Sequence, residues 1–297
     1  MKSQKTSFCA GLIGKGIQAS LTPAMHVAEG RAQGFDYRYE LLDLDQMKVG
    51  VDQLPEVIAD AEARGFGGLN VTHPCKQAVL GLLDTLSEEA TVLGAVNTIV
   101  LRDGRRHGHN TDCWGFAESF RLGLPDADLG TVVQLGAGGA GAATAFAILR
   151  SGAARLTIFD QDHARAAGLA ETMQRHFPHA LVEAGGDLPM AMARASGLIH
   201  ATPTGMVKYP GLPLSAELLH ASMWVAEIVY FPLETALLAE ARRRRCRVLD
   251  GGGMAVYQAV KAFELFTGIK PDSKRMQRHF SELTQAPPTA RAAGAVS

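Results

Sequence analysis

The chain is 297 residues long, with 47% hydrophobic and 20% charged residues and a formal net charge of −1. That length predicts two domains at roughly 150 residues each, with ample material for a core. The balanced charge argues against nucleic-acid and anionic-membrane partners, which select basic surfaces.

From the start, MKSQKTSFCAGLIG offers no long apolar stretch and no small-residue cleavage site, which argues against a signal peptide. Phe8 to Gly14 reads as a strand. Thr22-Pro23 reads as an N-cap followed by proline at the first helical position, opening a helix to about Ala32. Tyr37 to Leu42 reads as a strand, Val51 to Ala63 as a helix, and Gly67 to Val71 as a short strand ending at Thr72-His73-Pro74. A helix from about Lys76 carries Val79, Leu82 and Leu83 on one face. Thr98 to Leu101 and Arg106 to Asn110 form a hairpin joined at Asp103-Gly104. Strands alternating with helices predict an α/β unit with a largely parallel sheet.

Loop-like sequence over Leu122 to Leu129 precedes a second α/β series. Thr131 to Leu135 is a buried strand, Gly136 to Gly141 a glycine turn and Ala142 to Arg150 a helix. A strand at Leu156 to Phe159 and a helix at Ala164 to His176 come next. Further strands are predicted at Leu181-Val182, Gly197 to Ala201, Trp224 to Ile228 and Arg247 to Leu249. Helices at Ala255 to Thr267 and Ser273 to Leu283 close the fold, and the tail over 285–297 is expected to be disordered. The four cysteines are scattered, without C-x-x-C spacing, which predicts reduced thiols and a cytoplasmic location. No apolar run reaches the ~18 residues of a membrane span.

Gly136, Gly138 and Gly141, with Ala137, Gly139 and Ala140 between them, fit G-x-G-x-x-G after an apolar strand. One glycine makes the tight turn, one lets backbone approach a pyrophosphate and one lets helix pack on strand. The helix N-terminus supplies N–H groups and partial positive charge to the phosphates. Alone the motif is weak, since any tight strand-to-helix turn can hold glycines. Asp160, 24 residues after Gly136 and at a strand end, strengthens it as the carboxylate that receives the ribose hydroxyls of NAD and repels the 2′-phosphate of NADP. Its bland alternative is a helix-capping aspartate. Arg165 is placed to reach the adenosine side. NAD is favoured over NADP.

Polar residues also gather at the strand ends of the first half. These are Ser20 and Thr22, Asn70 and Thr72 with Lys76 at the next helix start, Asn97, and Asp112 after the hairpin. Singly, each has an ordinary reading as a cap, a turn residue or a solvated charge. Together they suit a polyhydroxylated, anionic small molecule, with Lys76 and Asp112 as the evident proton-handling pair.

With these motifs in order from about residue 8 to residue 283, the chain resembles the shikimate and quinate dehydrogenases. Ser20-Leu21-Thr22-Pro23-Ala24-Met25-His26 is similar to the family's substrate-carboxylate motif. Asn70-Val71-Thr72-His73-Pro74-Cys75-Lys76 resembles N-V-T-x-P-x-K, whose lysine is catalytic. Gly94 to Thr98 and Asn110 to Gly115 resemble G-A-V-N-T and N-T-D-x-x-G, and Gly251-Gly252-Gly253-Met254 precedes Gln258, where the family's glutamine meets substrate. The resemblance implies an α/β fold of two domains. Residues 1–115 with 255–284 form an N-terminal α/β substrate domain, interrupted by a Rossmann doubly wound NAD-binding domain over 116–254. Lys76 and Asp112 are then catalytic, with Lys76 the base and Asp112 orienting it and the substrate hydroxyl. Ser20 and Thr22 hold the ring carboxylate. Asn70, Thr72, Asn97 and Gln258 bind ring hydroxyls, and Tyr230 contributes to the substrate site. The cofactor set is Gly136 to Gly141, Asp160, Arg165, Thr202, Ile228 and Gly251.

The departures matter as well. His200 stands where the family's N-A-T-P-x-G-M begins with asparagine, and Glu227 where D-x-x-Y-x-P begins with aspartate. Ser-x-Thr at residues 20–22 replaces the Ser-x-Ser of the strictly shikimate-using, NADP-linked members, and with Asp160 it points to the NAD-preferring quinate/shikimate subgroup. The expected reaction is reversible oxidation of the ring secondary alcohol of quinate or shikimate, by a monomer or homodimer. The alternatives are a shikimate-specific NADP enzyme, an aminoshikimate paralogue and a non-catalytic NAD-binding regulator. His107 and His109 have no nearby third ligand for a metal, and Arg242 to Arg245 read as a solvated helix end.

Overall fold

The computed structural model describes residues 6–285, so the tail from residue 286 lies outside the described residues. The chain divides into two compact units, Met1–Thr111 with Gln258–Ser297 and Asp112–Tyr257. No helix among the described residues is long and apolar enough to cross a membrane.

The first unit runs β1 (Ser7–Gly14), α1 (Thr22–Ala32), β2 (Asp36–Asp43), α2 (Leu44–Met47), α3 (Leu54–Ala63), β3 (Gly68–Val71), α4 (Cys75–Ala78), β4 (Thr85–Leu86), α5 (Glu88–Leu93), β5 (Thr98–Arg102) and β6 (Arg105–His109). Its six strands lie in the order β2-β1-β3-β5-β6-β4. The sheet is largely parallel, as expected: five strands run one way, with β4 parallel to β6, and β5 alone is inverted. β1 pairs parallel with β2 and β3, whereas β3–β5 and β5–β6 are antiparallel. The hairpin returns β6 to the common direction, through Asp103 (φ 54) and Gly104 (φ 70), the two-residue positive-φ turn that fits strand twist.

One sheet face buries Ile13, Leu69 and Ile99 against Leu54, Val57, Ile58 and Ala61, a helical apolar stripe on α3. Another cluster packs Ala10, Phe35, Tyr37 and Val100 on Phe263 and Phe266.

Local chemistry moved three predicted boundaries here. α3 begins at Leu54 because Pro55 suits the first helical turn, and Val51–Gln53 is a separate 3₁₀ turn. The helix expected from Lys76 stops at Ala78 and gives way to a 3₁₀ turn, Leu80–Leu82, centred on Gly81. Thr22 does not cap α1. The N-cap is Leu21 without a side-chain bond, and the Thr22 N–H donates to Ser20 Oγ at 3.3 Å.

The second unit runs α6 (Thr111–Gly123), β7 (Val132–Leu135), α7 (Gly139–Arg150), β8 (Arg155–Phe159), α8 (His163–His176), β9 (Leu181–Ala184), α9 (Leu188–Met192), β10 (Gly197–His200), β11 (Trp224–Glu227), α10 (Ala236–Arg243), β12 (Arg247–Leu249) and the start of α11 (Gly252–Thr267). Every pairing in its sheet, β12-β11-β10-β7-β8-β9, is parallel. Counted from β7, this is the doubly wound dinucleotide-binding order, whose switch point falls between β7 and β10. α6 and α9 were not expected, and α7 and α11 begin three residues earlier than their apolar patterns suggest. Within α6, Cys113, Phe116 and Phe120 are buried at helical spacing, a signal masked by the small and polar residues between them.

In the first unit, α12 (Ser273–Gln285) is fastened to α1. Glu29, with its side chain fully buried, accepts Arg275 Nε at 2.7 Å and Nη2 at 2.7 Å, and the Asp272 N–H at 2.8 Å. Burial alone would raise this carboxyl's pKa, but the bonds from Arg275, Asp272 and Gln33 outweigh it and hold the group below its ordinary value of 4.5. Arg275→Ala strands the charge. A loss of roughly 2–3 kcal/mol is expected, short of the ~3–5 kcal/mol for a fully buried pair, because the Arg275 side chain stays 35% exposed. A depressed carboxyl stabilises above its unfolded pKa. The clamp's contribution is therefore full at neutral pH and fades as pH falls below about 4.5. Thermal melts of both proteins from neutral to acid pH should show the gap narrowing; a constant gap would contradict the clamp.

Candidate active site

In the first unit the polar strand-end residues form one hydrogen-bonded floor. Asn70, on β3, donates from Nδ2 to Thr98 Oγ1 at 3.1 Å and accepts the Tyr39 hydroxyl at 2.8 Å. Asn97 Oδ1 accepts the Thr111 N–H at 2.7 Å and the hydroxyls of Thr98 and Thr111 at 3.0 and 3.1 Å. Asn70, Asn97, Thr98 and Thr111 are all buried. Buried amides held this firmly are rigid, and such fixed polar surface can orient a hydroxylated ligand. Tyr39, Thr98 and Thr111 belong to this floor and were not singled out from the sequence. Tyr39 gave no signal, being one aromatic in an alternating strand. Burial raises its phenol's pKa well above the ordinary 10.

The turn after β3 is braced by backbone. Thr72 N–H donates to Ile13 C=O at 2.9 Å, Cys75 N–H to Thr72 C=O at 2.8 Å and Lys15 N–H to His73 C=O at 3.0 Å. Lys76 follows on the one-turn helix α4, with its side chain half-buried, and its carbonyl accepts the Val96 N–H at 2.8 Å. The structure thus joins the two segments that carry Lys76 and Asn97. Ser20 and Thr22 are joined to each other at the start of α1. Asp112 stands in the first turn of α6, Tyr230 follows β11, and Gln258 lies on α11. Tyr230 is part-exposed, yet desolvation first and the Asp112 carboxylate second push its phenol's pKa above 10.

In the second unit the glycine turn has the geometry its spacing suggests, although it is shorter, because α7 already begins at Gly139. Gly136 has φ +104, and a Cβ there would lie 2.4 Å from Ala201 C=O; a Cβ on Gly141 would lie 2.2 Å from Gly136 C=O. Beside Gly138 and Gly139 there is open space, where a phosphate can approach. The first bond of α7 runs from Ala142 N–H to Gly138 C=O at 2.8 Å, so the preceding amides face that space as helix-terminal donors. Gln134, buried beneath, donates to Gly136 C=O at 2.9 Å and Gly141 C=O at 2.8 Å.

At the end of β8, Asp160 accepts the Ala137 N–H at 2.8 Å and the Asp162 N–H at 2.9 Å, one on each oxygen. Each oxygen keeps a further lone pair, so the carboxylate can brace the turn and still receive ribose hydroxyls. The helix-capping role belongs to Asp162, which accepts the N–H groups of Ala164 and Arg165. Arg165 stands 4.0 Å from Asp162. The open turn, the helix terminus and the Asp160 carboxylate together fit a dinucleotide. The departures from the family pattern also meet: His200 Nδ1 lies 2.8 Å from Glu227 Oε1.

Among the described residues, no group of three or more His, Cys, Asp and Glu is placed to hold a metal ion. His107 pairs instead with Thr85 at 2.7 Å.

A sequence model described as the shikimate dehydrogenase substrate binding domain matches residues 12–99, and one described as the shikimate 5'-dehydrogenase C-terminal domain matches 251–279. Over 279 residues the chain is 55% identical to the shikimate dehydrogenase (NADP(+)) of Streptomyces avermitilis, covering 93% of this chain and 96% of that one. It is 47% identical over 282 residues to the quinate/shikimate dehydrogenase (NAD(+)) of Corynebacterium efficiens, covering 93% and 99%. Quinate dehydrogenase from Corynebacterium glutamicum, solved in complex with NAD, superposes with a TM-score of 0.90 at 44% identity, covering 94% of this chain and 100% of that one. Fold and site define a two-domain α/β oxidoreductase with a Rossmann nucleotide-binding unit. The chain belongs to the shikimate and quinate dehydrogenase family, whose members act on CH–OH groups.

Proposed function

We propose that this chain is an NAD-linked quinate/shikimate dehydrogenase of the cytoplasm, which reversibly oxidises the ring secondary alcohol of either acid to the 3-dehydro ketone. The observation that carries the cofactor reading is the Asp160 carboxylate at the end of β8, held against the glycine turn with acceptor capacity to spare. Asp162 beside it adds a second negative charge where a 2′-phosphate would come. Arg165 leans to Asp162, which supports NAD further. The second reading, an NADP-linked shikimate dehydrogenase, is favoured by the 55% identity to the Streptomyces avermitilis enzyme.

In this reading the first unit supplies most of the substrate contacts and the second binds the nucleotide. Ser20 and Thr22 hold the ring carboxylate. Asn70, Thr72 and Asn97 bind ring hydroxyls from the buried floor, with Gln258 and Tyr230 as further contacts. When bound, the nicotinamide supplies the hydride acceptor. Lys76 accepts the hydroxyl proton on oxidation and returns it on reduction, with Asp112 as the carboxylate of the catalytic pair. Gly136 to Gly141, that is Gly136, Ala137, Gly138, Gly139, Ala140 and Gly141, cradle the pyrophosphate. Asp160 and Arg165 take the adenosine side, and Thr202, Ile228 and Gly251 the nicotinamide side.

The test is absorbance of NADH formed from NAD with quinate, shikimate and aminoshikimate in parallel. Turnover of quinate and shikimate above the amino analogue is expected. No turnover with any of the three would contradict the reading and favour a nucleotide-binding regulator.

A further inference from the structure

The two positions that depart from the family pattern are direct neighbours: His200 on β10 and Glu227 on β11 are register partners at the C-terminal ends of adjacent strands. Both side chains are fully buried. His200 Nδ1 lies 2.8 and 3.0 Å from the two Glu227 oxygens, and its Nε2 lies 2.6 Å from Thr202 Oγ1. Glu227 Oε1 also accepts the N–H groups of Ile228 and Val229 at 2.8 and 2.9 Å, and Oε2 accepts the Thr235 hydroxyl at 3.0 Å. Thr235 in turn caps α10 through the Leu238 N–H at 3.3 Å. As a carboxylate Glu227 has only acceptors, so His200 Nδ1 carries the proton of their bond and Nε2 is left to meet the Thr202 hydroxyl.

Each end of this relay abuts a backbone approach that only glycine permits. A Cβ on Gly136 would come 2.4 Å from Ala201 C=O and 3.1 Å from Thr202 Cγ2. A Cβ on Gly251 would come 2.4 Å from Ile228 C=O and 2.6 Å from Val229 C=O. Hydrogen bonds and close packing therefore link the phosphate turn, the Thr202 loop, the Ile228 turn and the cap of α10 across the switch point of the sheet, where such folds bind their ligands.

We propose that His200 and Glu227 form a matched positioning couple for the nucleotide end of this unit, setting the Thr202 loop and the Ile228 turn together. The inference rests on the functional reading above, which places the nucleotide there. Neither residue touches the nucleotide; both act through Thr202 and Ile228. The match is one of reach. An asparagine at 200 has no second ring nitrogen on its far side, so it serves Glu227 or Thr202 but not both. An aspartate at 227 is one methylene shorter and loses either His200 or the Ile228 and Val229 amides. The double substitution, Asn with Asp, is a smaller pair that changes both positions at once.

The test is NADH binding to the full chain by fluorescence titration, without substrate, with melting temperatures measured in parallel. His200→Asn and Glu227→Asp are each expected to weaken NADH by roughly tenfold, and the double variant to return to within about threefold of the parent, a coupling of the size neighbouring residues show. Singles that bind NADH like the parent, or a double variant whose loss is the sum of the singles, overturn the couple. If a single variant fails to fold, Thr202→Val decides. It should weaken NADH severalfold more in the parent than in the folded double variant, because its own nucleotide contact is lost in both and its link to His200 only in the parent. An equal loss in both backgrounds shows that Thr202 acts independently of residue 200 and overturns the relay. A parent chain that binds no NADH defeats the functional reading and this inference with it; a parent that binds, with indifferent variants, defeats this inference alone.

Discussion

Lys76→Ala is expected to lower kcat by roughly 10²-fold or more, the usual scale of general acid–base catalysis. The side chain is half-buried on α4, a helix that backbone bonds and the buried neighbours Cys75 and Val79 hold in place. Truncation should therefore leave the melting temperature close to the parent's, so a fall in turnover reports chemistry and not unfolding. The Asn70–Asn97–Thr98 floor is built from hydrogen bonds of its own. Substrate KM should accordingly change less than kcat, the signature of a group that acts on the proton in flight. Steady-state rates in the oxidative direction check this, and unchanged turnover would reject Lys76 as the proton acceptor.

The second large effect is expected at Asp160. Asp160→Ala should shift the ratio of kcat/KM for NAD to that for NADP by about tenfold or more toward NADP, a change of ~1.4 kcal/mol. A 2′-phosphate brings close to two negative charges, and apposing them to a carboxylate is repulsive by an amount of that order or larger. Asp160 also receives the Ala137 and Asp162 amides, so alanine removes a brace of the glycine turn as well as a charge. Asp160→Asn separates these roles. It keeps an acceptor oxygen for Ala137 and removes the charge, so it should show most of the ratio shift with less loss of overall activity. An unaltered NAD to NADP ratio in both variants would contradict the ribose-carboxylate role.

What the sequence made legible follows from how local each signal is. The strand before Gly136, the glycine spacing and Asp160 are short-range features, and the structure brings them together through neighbouring parallel strands β7 and β8. Most strands were also readable as short apolar runs between turn residues, but the two-residue β4 was not. Helix edges were less so. Pro55 and Gly81 broke apolar patterns that looked continuous, and α6 hid behind Trp114, Gly115 and polar neighbours. D-G announced the positive-φ turn at Asp103 and Gly104 and so the reversal from β5 to β6, whereas the inversion of β5 depends on its lying next to β3. The polar floor shows the same limit. Asn70 and Asn97 stood out as motif residues, whereas Tyr39 joined them only because β2 and β3 flank β1. The pairing of His200 with Glu227, 27 residues apart, is a tertiary fact that the two separate departures could not announce.

The account turns on a steady-state matrix of quinate and shikimate against NAD and NADP. It predicts turnover of both acids with NAD, at a kcat/KM well above that with NADP for each. Turnover of shikimate alone, with NADP preferred, would contradict it.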